Sequence, residues 1–170
     1  MISDVFNIAK EMVMAMGYLR DTSGLRLDMA GVISPDSFGN ELRALPAWSL
    51  VNYHSHIGRP EVANLLGNVR AGLVLFHPMP NHVDAQPNKM FEYMAAGIPV
   101  IASDFPLWKN IIEKYSCGLC VNPKDPASIA GAISYLLSHE NEAKQMGTNG
   151  RKAVEKEFSW EKEQEKLLAF

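Results

Sequence analysis

Apolar residues recur every three or four positions from Val5 through Ile8, Ala9, Met12, Val13 and Met16 to Leu19, which predicts a helix over residues 4–19. Short apolar runs and helical periods then alternate. Leu25 to Val32 predicts a strand closing at Gly31, and Pro35 to Leu45 a short helix bracketed by its opening proline and by Pro46. Leu50 to Tyr53 reads as a strand, Arg59 to Val69 as a helix with Pro60 in its first turn. Gly72 to Phe76 is continuously apolar, as expected of a strand buried on both faces. Helices follow at Asn88–Ala96, Leu107–Tyr115 and Pro126–Ser138, the last opened by Asp125, with strands at Pro99–Ala102 and Leu119–Val121 between them. Glu140–Phe158 predicts a second long helix in which Gly147 and Gly150 are weak points, and Trp160–Phe170 a closing helix. Met12, Met14, Met16, Met90 and Met94 are expected in core or helix packing, and Phe105 and Trp108 near the strand end at Ser103. The mixed Lys/Glu run from Glu155 to Glu165 is expected to be a solvated helix face.

Short apolar strands alternating with helices predict an α/β fold, a doubly wound parallel sheet with helices on both faces. The first helix is out of step with that pattern, because only Met1 and Ile2 precede it where such folds open with a strand. A first strand is therefore expected to be missing, which leaves a sheet of about five strands with unpaired edges. Dimerisation or strand exchange through those edges is the corresponding expectation.

Composition narrows the function classes. The 170 residues suffice for one domain with a real core, and 47% hydrophobic with 21% charged residues fits a soluble globular chain. A formal charge of -3 lacks the basic footprint of a nucleic-acid binder. No apolar run approaches the ~20 residues of a membrane span. The mixed polarity around Asp4 does not have the form of a signal peptide, so a cytoplasmic location is expected, with a peripheral position at the inner membrane surface left open. Cys117 and Cys120 could form a redox or metal pair, but residues three apart on a strand point to opposite faces, about 10 Å apart. They are read as small apolar residues of a buried strand. His54, His56 and His77 have no nearby acid or cysteine to complete a metal site, and none is expected.

The candidate chemistry lies between Asp84 and Ile101. Asp84 and Glu92 stand eight residues apart; Pro87 and Asn88 look like a helix start between them, and Gly97 and Pro99 look like a stop before the apolar run Ile98–Ala102. That is a polar loop, a short helix and a buried strand, with one acid in the loop and one in the helix. Helix N-termini attract phosphates, and an acid one turn in can accept ribose hydroxyls, so the passage reads as a nucleotide-binding corner. Backbone N–H groups of residues 88–90, from Asn88 to Met90, and the Lys89 ammonium are candidate phosphate contacts. Gln86 and Asn88 are candidates for sugar hydroxyls. The competing readings are a solvated helix acid for Glu92, an Asx turn for Asp84 and a solvated lysine for Lys89. His77, at the end of an apolar strand, is either pocket-lining or a satisfied buried histidine.

The same stretch resembles the group 1 (family 4) glycosyltransferases of the GT-B type. The matching residues are Asp84, Glu92, Tyr93, Met94, Ala95, Gly97, Pro99 and Val100. Further matches are Ile101-Ala102-Ser103, Ile111-Ile112-Glu113, Cys117-Gly118-Leu119 and Val121-Asn122-Pro123-Lys124-Asp125, and the likeness runs from about Leu25 to the C-terminus. The resemblance implies that residues 1–170 are the Rossmann-like, nucleotide-sugar-binding C-terminal half of a two-domain retaining enzyme. It implies a UDP- or GDP-sugar as substrate, no separate cofactor, no obligatory metal, and a setting such as polysaccharide synthesis. Asp84 and Glu92 would be the catalytic acids, Asp84 facing the donor sugar and Glu92 the ribose. The loop holding His56 and Gly58 would reach the base. The acceptor site would lie on an N-terminal domain, so the chain alone is expected to bind donor weakly and catalyse little. Two departures stand out. Asp84 occupies a position that is normally Glu, and Val5–Ile8 hold no Arg or Lys where the family places a basic residue ahead of the first helix. The rival expectations are half of a sugar-nucleotide epimerase-like enzyme and a non-catalytic nucleotide-binding or interaction module.

Overall fold

In the computed structural model, which describes residues 4–158, helices and strands alternate as the apolar pattern predicts. The order is α1 (Asp4–Tyr18), β1 (Leu27–Met29), α2 (Asp36–Ala44), β2 (Val51–Tyr53), α3 (Arg59–Leu66), β3 (Gly72–Val74), α4 (Pro80–Val83), α5 (Asn88–Ala95), β4 (Val100–Ser103), α6 (Pro106–Tyr115), β5 (Gly118–Val121), α7 (Pro126–Ser138) and α8 (Glu140–Glu157). A 3-10 turn, Pro46–Leu50, leads into β2. That turn and α4 carry too few residues to show a period, and neither is foreseen from the pattern. The helix expected from Trp160 onward lies outside the described residues. Starts follow local chemistry: Asp125 accepts the Ala127 N–H at 3.0 Å, capping α7 ahead of Pro126.

All strand pairs are parallel, as expected of an α/β fold, but they do not form one sheet. β1 pairs with β2, setting Leu27 opposite Val51, and β3-β4-β5 form a separate three-stranded sheet with β4 in the middle. The single sheet expected from the sequence is thus divided between β1 and β3. α1 spans the division. Its Ile8, Ala15 and Leu19 join the core built with β4, β5 and α7, while Ala9, Val13 and Met16 join the core of α2, β1 and β2. One amphipathic helix therefore packs on both sheets, which are not paired edge to edge.

β1 is shorter than the run Leu25–Val32 suggests, because Gly31 has φ +133 and turns the chain out of the sheet. The Gly31 N–H then donates to Ser55 O at 2.6 Å, tying the exit of β1 to the exit of β2. β4 is buried along its whole length, in keeping with its uninterrupted apolar sequence. Ser103 ends it, fully buried, with its hydroxyl donating to Phe76 O at 3.1 Å and accepting the Phe76 N–H at 2.9 Å. Ser103→Ala leaves both main-chain groups of Phe76 without this partner and is expected to cost about 1–3 kcal/mol. An unchanged urea midpoint would show that the end of β3 is held by something else.

Phe105 and Trp108 pack at that strand end, with ring centroids 4.8 Å apart. Met12, Met16, Met90 and Met94 are in the cores, whereas Met14 is 42% exposed on the outer face of α1. Cys117 is buried and Cys120 half-buried, both unpaired, and burial pushes each thiol up to about 11, so both stay neutral at physiological pH. Among the described residues no helix is long and apolar enough to cross a membrane.

Candidate functional site

A cleft of about 700 Å³ runs between the two sheets. Its body is apolar, walled by Ile8, Met12, Leu27, Leu73, Ile133 and Leu136. Polar side chains line it at both ends, Arg26, Asn68 and Arg70 ahead of β1 and β3, and Lys89 and Glu92 toward the ends of the strands. Gly31 follows β1, Ile57 follows β2, Phe76 follows β3, and Lys89 and Glu92 come from the first two turns of α5; all line the same cleft. The ends of parallel strands next to a helix start are where open α/β proteins bind ligands. The structure thus brings Lys89 and Glu92 together with the exits of β1 and β2, which lie more than thirty residues earlier in the chain.

Each expected site residue has a definite place. Glu92 is exposed on the second turn of α5, and Lys89 is exposed on its first. Asn88 opens the helix and Gln86 precedes it; both are exposed and outside the cleft lining. Met90 packs in the core as expected, but its N–H is not free for a phosphate. Its side chain is fully buried in the core under β3 and β4, and its N–H donates to Pro87 O at 3.0 Å. Of the N–H groups expected to meet a phosphate, that one is already taken, which leaves those of Asn88 and Lys89. His56 and Gly58 are exposed and flank Ile57, the residue of that loop that lines the cleft; Gly58 is also the N-cap of α3. His54 is a structural partner. Its Nε2 lies 2.7 Å from Asp28 Oδ1, which also accepts from Asn52 Nδ2 at 3.2 Å. Among the described residues no three His, Cys, Asp or Glu side chains gather for a metal ion.

Asp84 is exposed at the C-terminal end of α4, beside the cleft lining rather than in it. Its loop is pinned on both sides. The Trp108 indole N–H donates to Ala85 O at 2.6 Å, the Ala85 N–H donates to His82 O at 3.2 Å, and His82 Nδ1 sits 3.1 Å from His77 O. The Phe76 ring meets both His82 and Trp108 edge to face, at 5.0 and 5.6 Å. The acid therefore stands on a braced turn.

Two lining residues escape sequence reasoning. Tyr93, adjacent to Glu92, packs its ring against the first residue of β3; a Cβ on Gly72 would lie 2.3 Å from that ring. Burial, and secondly the negative charge of Glu92, push the Tyr93 phenol up, so it remains a neutral donor. The Tyr53 hydroxyl donates to Gly31 O at 2.8 Å and accepts the Ile33 N–H at 3.3 Å, holding the exit of β1 against the cleft. The sequence gives neither one a place at the cleft, even though Tyr93 falls within the matched stretch, since both depend on strands brought together by the fold.

A family model described as glycosyl transferase-like matches residues 9–169. The MMP alpha-(1->4)-mannosyltransferase of Mycolicibacterium hassiacum is 24% identical over 149 residues, which is 86% of this chain and 35% of that protein. Sucrose-phosphate synthase from Thermosynechococcus elongatus superposes with a TM-score of 0.75 at 25% identity, over 96% of this chain and 42% of that one. The Anabaena protein HepE, solved in complex with UDP, has the same fold, with a TM-score of 0.74 at 16% identity over 94% of this chain and 44% of that one. The chain thus spans well under half the length of these proteins.

Proposed function

This chain belongs to the glycosyl transferase-like family, and on that premise we propose that it is the donor-binding half of a GT-B glycosyltransferase. The observation that carries the reading is the shared cleft wall: Lys89 and Glu92 at the start of α5 open onto the same space as the exits of β1 and β2. In this reading Glu92 accepts both ribose hydroxyls of a UDP- or GDP-sugar. The N–H groups of Asn88 and Lys89 and the Lys89 ammonium face the diphosphate, where they offset the charge that grows as the nucleotide leaves. The base rests near His56–Gly58, and Asp84 faces the transferred sugar. The apolar body of the cleft suits none of these groups, so the nucleotide occupies only the end where the strands stop. Transfer with retention, without a metal, requires an acceptor-binding domain as well, and the isolated chain turns over little. The family match and the UDP bound by the Anabaena relative support the substrate class.

The test is a titration of UDP, GDP and their hexose conjugates into the chain by ligand-observed NMR. Saturable binding of one nucleotide class is expected, and it names the base. If no nucleotide binds at millimolar concentration, the donor-site reading fails in favour of an interaction module.

A further inference from the structure

Among the described residues, only Ser55 and Ser116 have a left-handed backbone without being glycine, at φ +49 and φ +47. Ser116 has a local reason. It is the C-cap of α6, and its N–H donates to Glu113 O at 3.2 Å to close the last turn. Ser55 ends no helix. It lies exposed in the loop between β2 and α3, two residues before Ile57 at the cleft wall. A side chain in this region strains the main chain, and such a residue persists only where its surroundings hold it.

Three contacts hold this turn. The Gly31 N–H donates to Ser55 O at 2.6 Å, and the His54 N–H donates to Met29 O at 2.8 Å. The third is a side-chain contact. A carboxylate only accepts hydrogen bonds, so His54 carries a proton on Nε2 and donates it to Asp28 Oδ1 at 2.7 Å. Asp28 Oδ1 also accepts from Asn52 Nδ2 at 3.2 Å, and Asp28 stands opposite Asn52 in the β1-β2 register. The carboxylate is thus fixed by one strand while it grips the residue that leads into the strained turn. Of the three contacts, only this one can be removed by substitution with the main-chain bonds left in place.

Beyond the turn, His56 and Gly58 are exposed. The main-chain N–H and C=O groups of His56 and Ile57 make no hydrogen bond among the described residues, so they are open to a ligand. A set of main-chain donors and acceptors tells one base from another only while its geometry is fixed. We propose that Asp28 and His54 are positioning residues for base recognition: their contact holds the Ser55 turn, and through it residues 56–58, in the arrangement that selects one base. The proposal rests on the donor-site reading above and adds to it what sets the preference between nucleotides.

The experiment measures UDP and GDP affinities by isothermal titration for the wild-type chain, Asp28→Ala, His54→Ala, the double variant and His54→Gln. The wild-type chain should favour one nucleotide by about tenfold or more. Each alanine variant should bind the favoured nucleotide about tenfold less tightly and the other within about twofold of the wild-type value, so the preference disappears. The double variant should be no worse than either single one, because the two side chains act as one contact. His54→Gln, whose amide can donate to Asp28, should recover part of the preference. Loss of structure alone would lower both affinities by the same factor and leave their ratio intact. That result, a preference that survives in the alanine variants, additive losses in the double variant, or equal binding of UDP and GDP by the wild-type chain overturns the positioning role while the donor site stands. Failure of both nucleotides to bind the wild-type chain overturns the donor site and the positioning role together.

Discussion

Glu92→Ala is expected to weaken nucleotide binding by more than about 100-fold while leaving the thermal midpoint almost unchanged. Hydrogen bonds to a charged group contribute about 1.5–3 kcal/mol each, and a carboxylate that takes both ribose hydroxyls loses two of them at once. Stability should not follow, because Glu92 is exposed, has no ion-pair partner among the described residues, and sits at a helix position where alanine is a good former. Glu92→Gln separates charge from shape. It keeps one acceptor and should fall between the wild-type chain and Glu92→Ala. Isothermal titration with the nucleotide identified by NMR reads both variants. Wild-type affinity in Glu92→Ala would mean that the acid only faces solvent and complements the helix dipole.

The largest stability effect is expected from a position with no chemistry at all. α8 lies on α5 and the turn that follows it through a stripe of small residues, Gly147, Gly150 and Ala153. A Cβ on Gly147 would stand 2.0 Å from Gly97 O and 2.8 Å from its carbonyl carbon. Those are main-chain atoms, fixed by the way α5 ends. Gly97 has φ +73, its N–H donates to Met94 O at 3.0 Å, and the Ile98 N–H donates to Tyr93 O at 2.9 Å, which closes the helix in a Schellman turn and feeds β4. Neither backbone can retreat without breaking that turn or lifting α8. Gly147→Ala should therefore cost about 3 kcal/mol or more, at the upper end of overpacking effects, even though alanine favours an isolated helix by about 1 kcal/mol. Urea unfolding gives the value, and a stabilised variant would show that α8 does not approach α5 as described. Disturbing this turn also shifts α5, which carries Lys89 and Glu92, so nucleotide affinity should fall together with stability.

Gly147 also shows where reading from sequence stops. Within a helical period a glycine looks like a weak point, because its backbone is freer than that of other residues. The fold turns Gly147 and Gly150 into points of contact, which depends on what packs opposite them. Met90 makes the same point at the site: its position in the motif places it at a helix start, but only the first-turn bond to Pro87 O shows that its N–H is spent. Glu92 and Lys89, by contrast, were legible, since Pro87, Asn88 and Gly97 mark both ends of α5 within ten residues.

The amino-acid sequence alone determined the alternation of helices and parallel strands, the extent of most elements and the place of the acid pair around α5. All of these rest on local spacing: a 3.6-residue period, an uninterrupted apolar run, a proline before a helix, a glycine after it. The tertiary structure alone decided that the strands separate into two sheets, that Tyr53 and Tyr93 border the cleft, that Gly147 meets Gly97, and that Asp28 meets His54. A hydrophobic pattern states which side of an element is buried but not which partner buries it, and each of these features is a meeting of residues far apart in the chain.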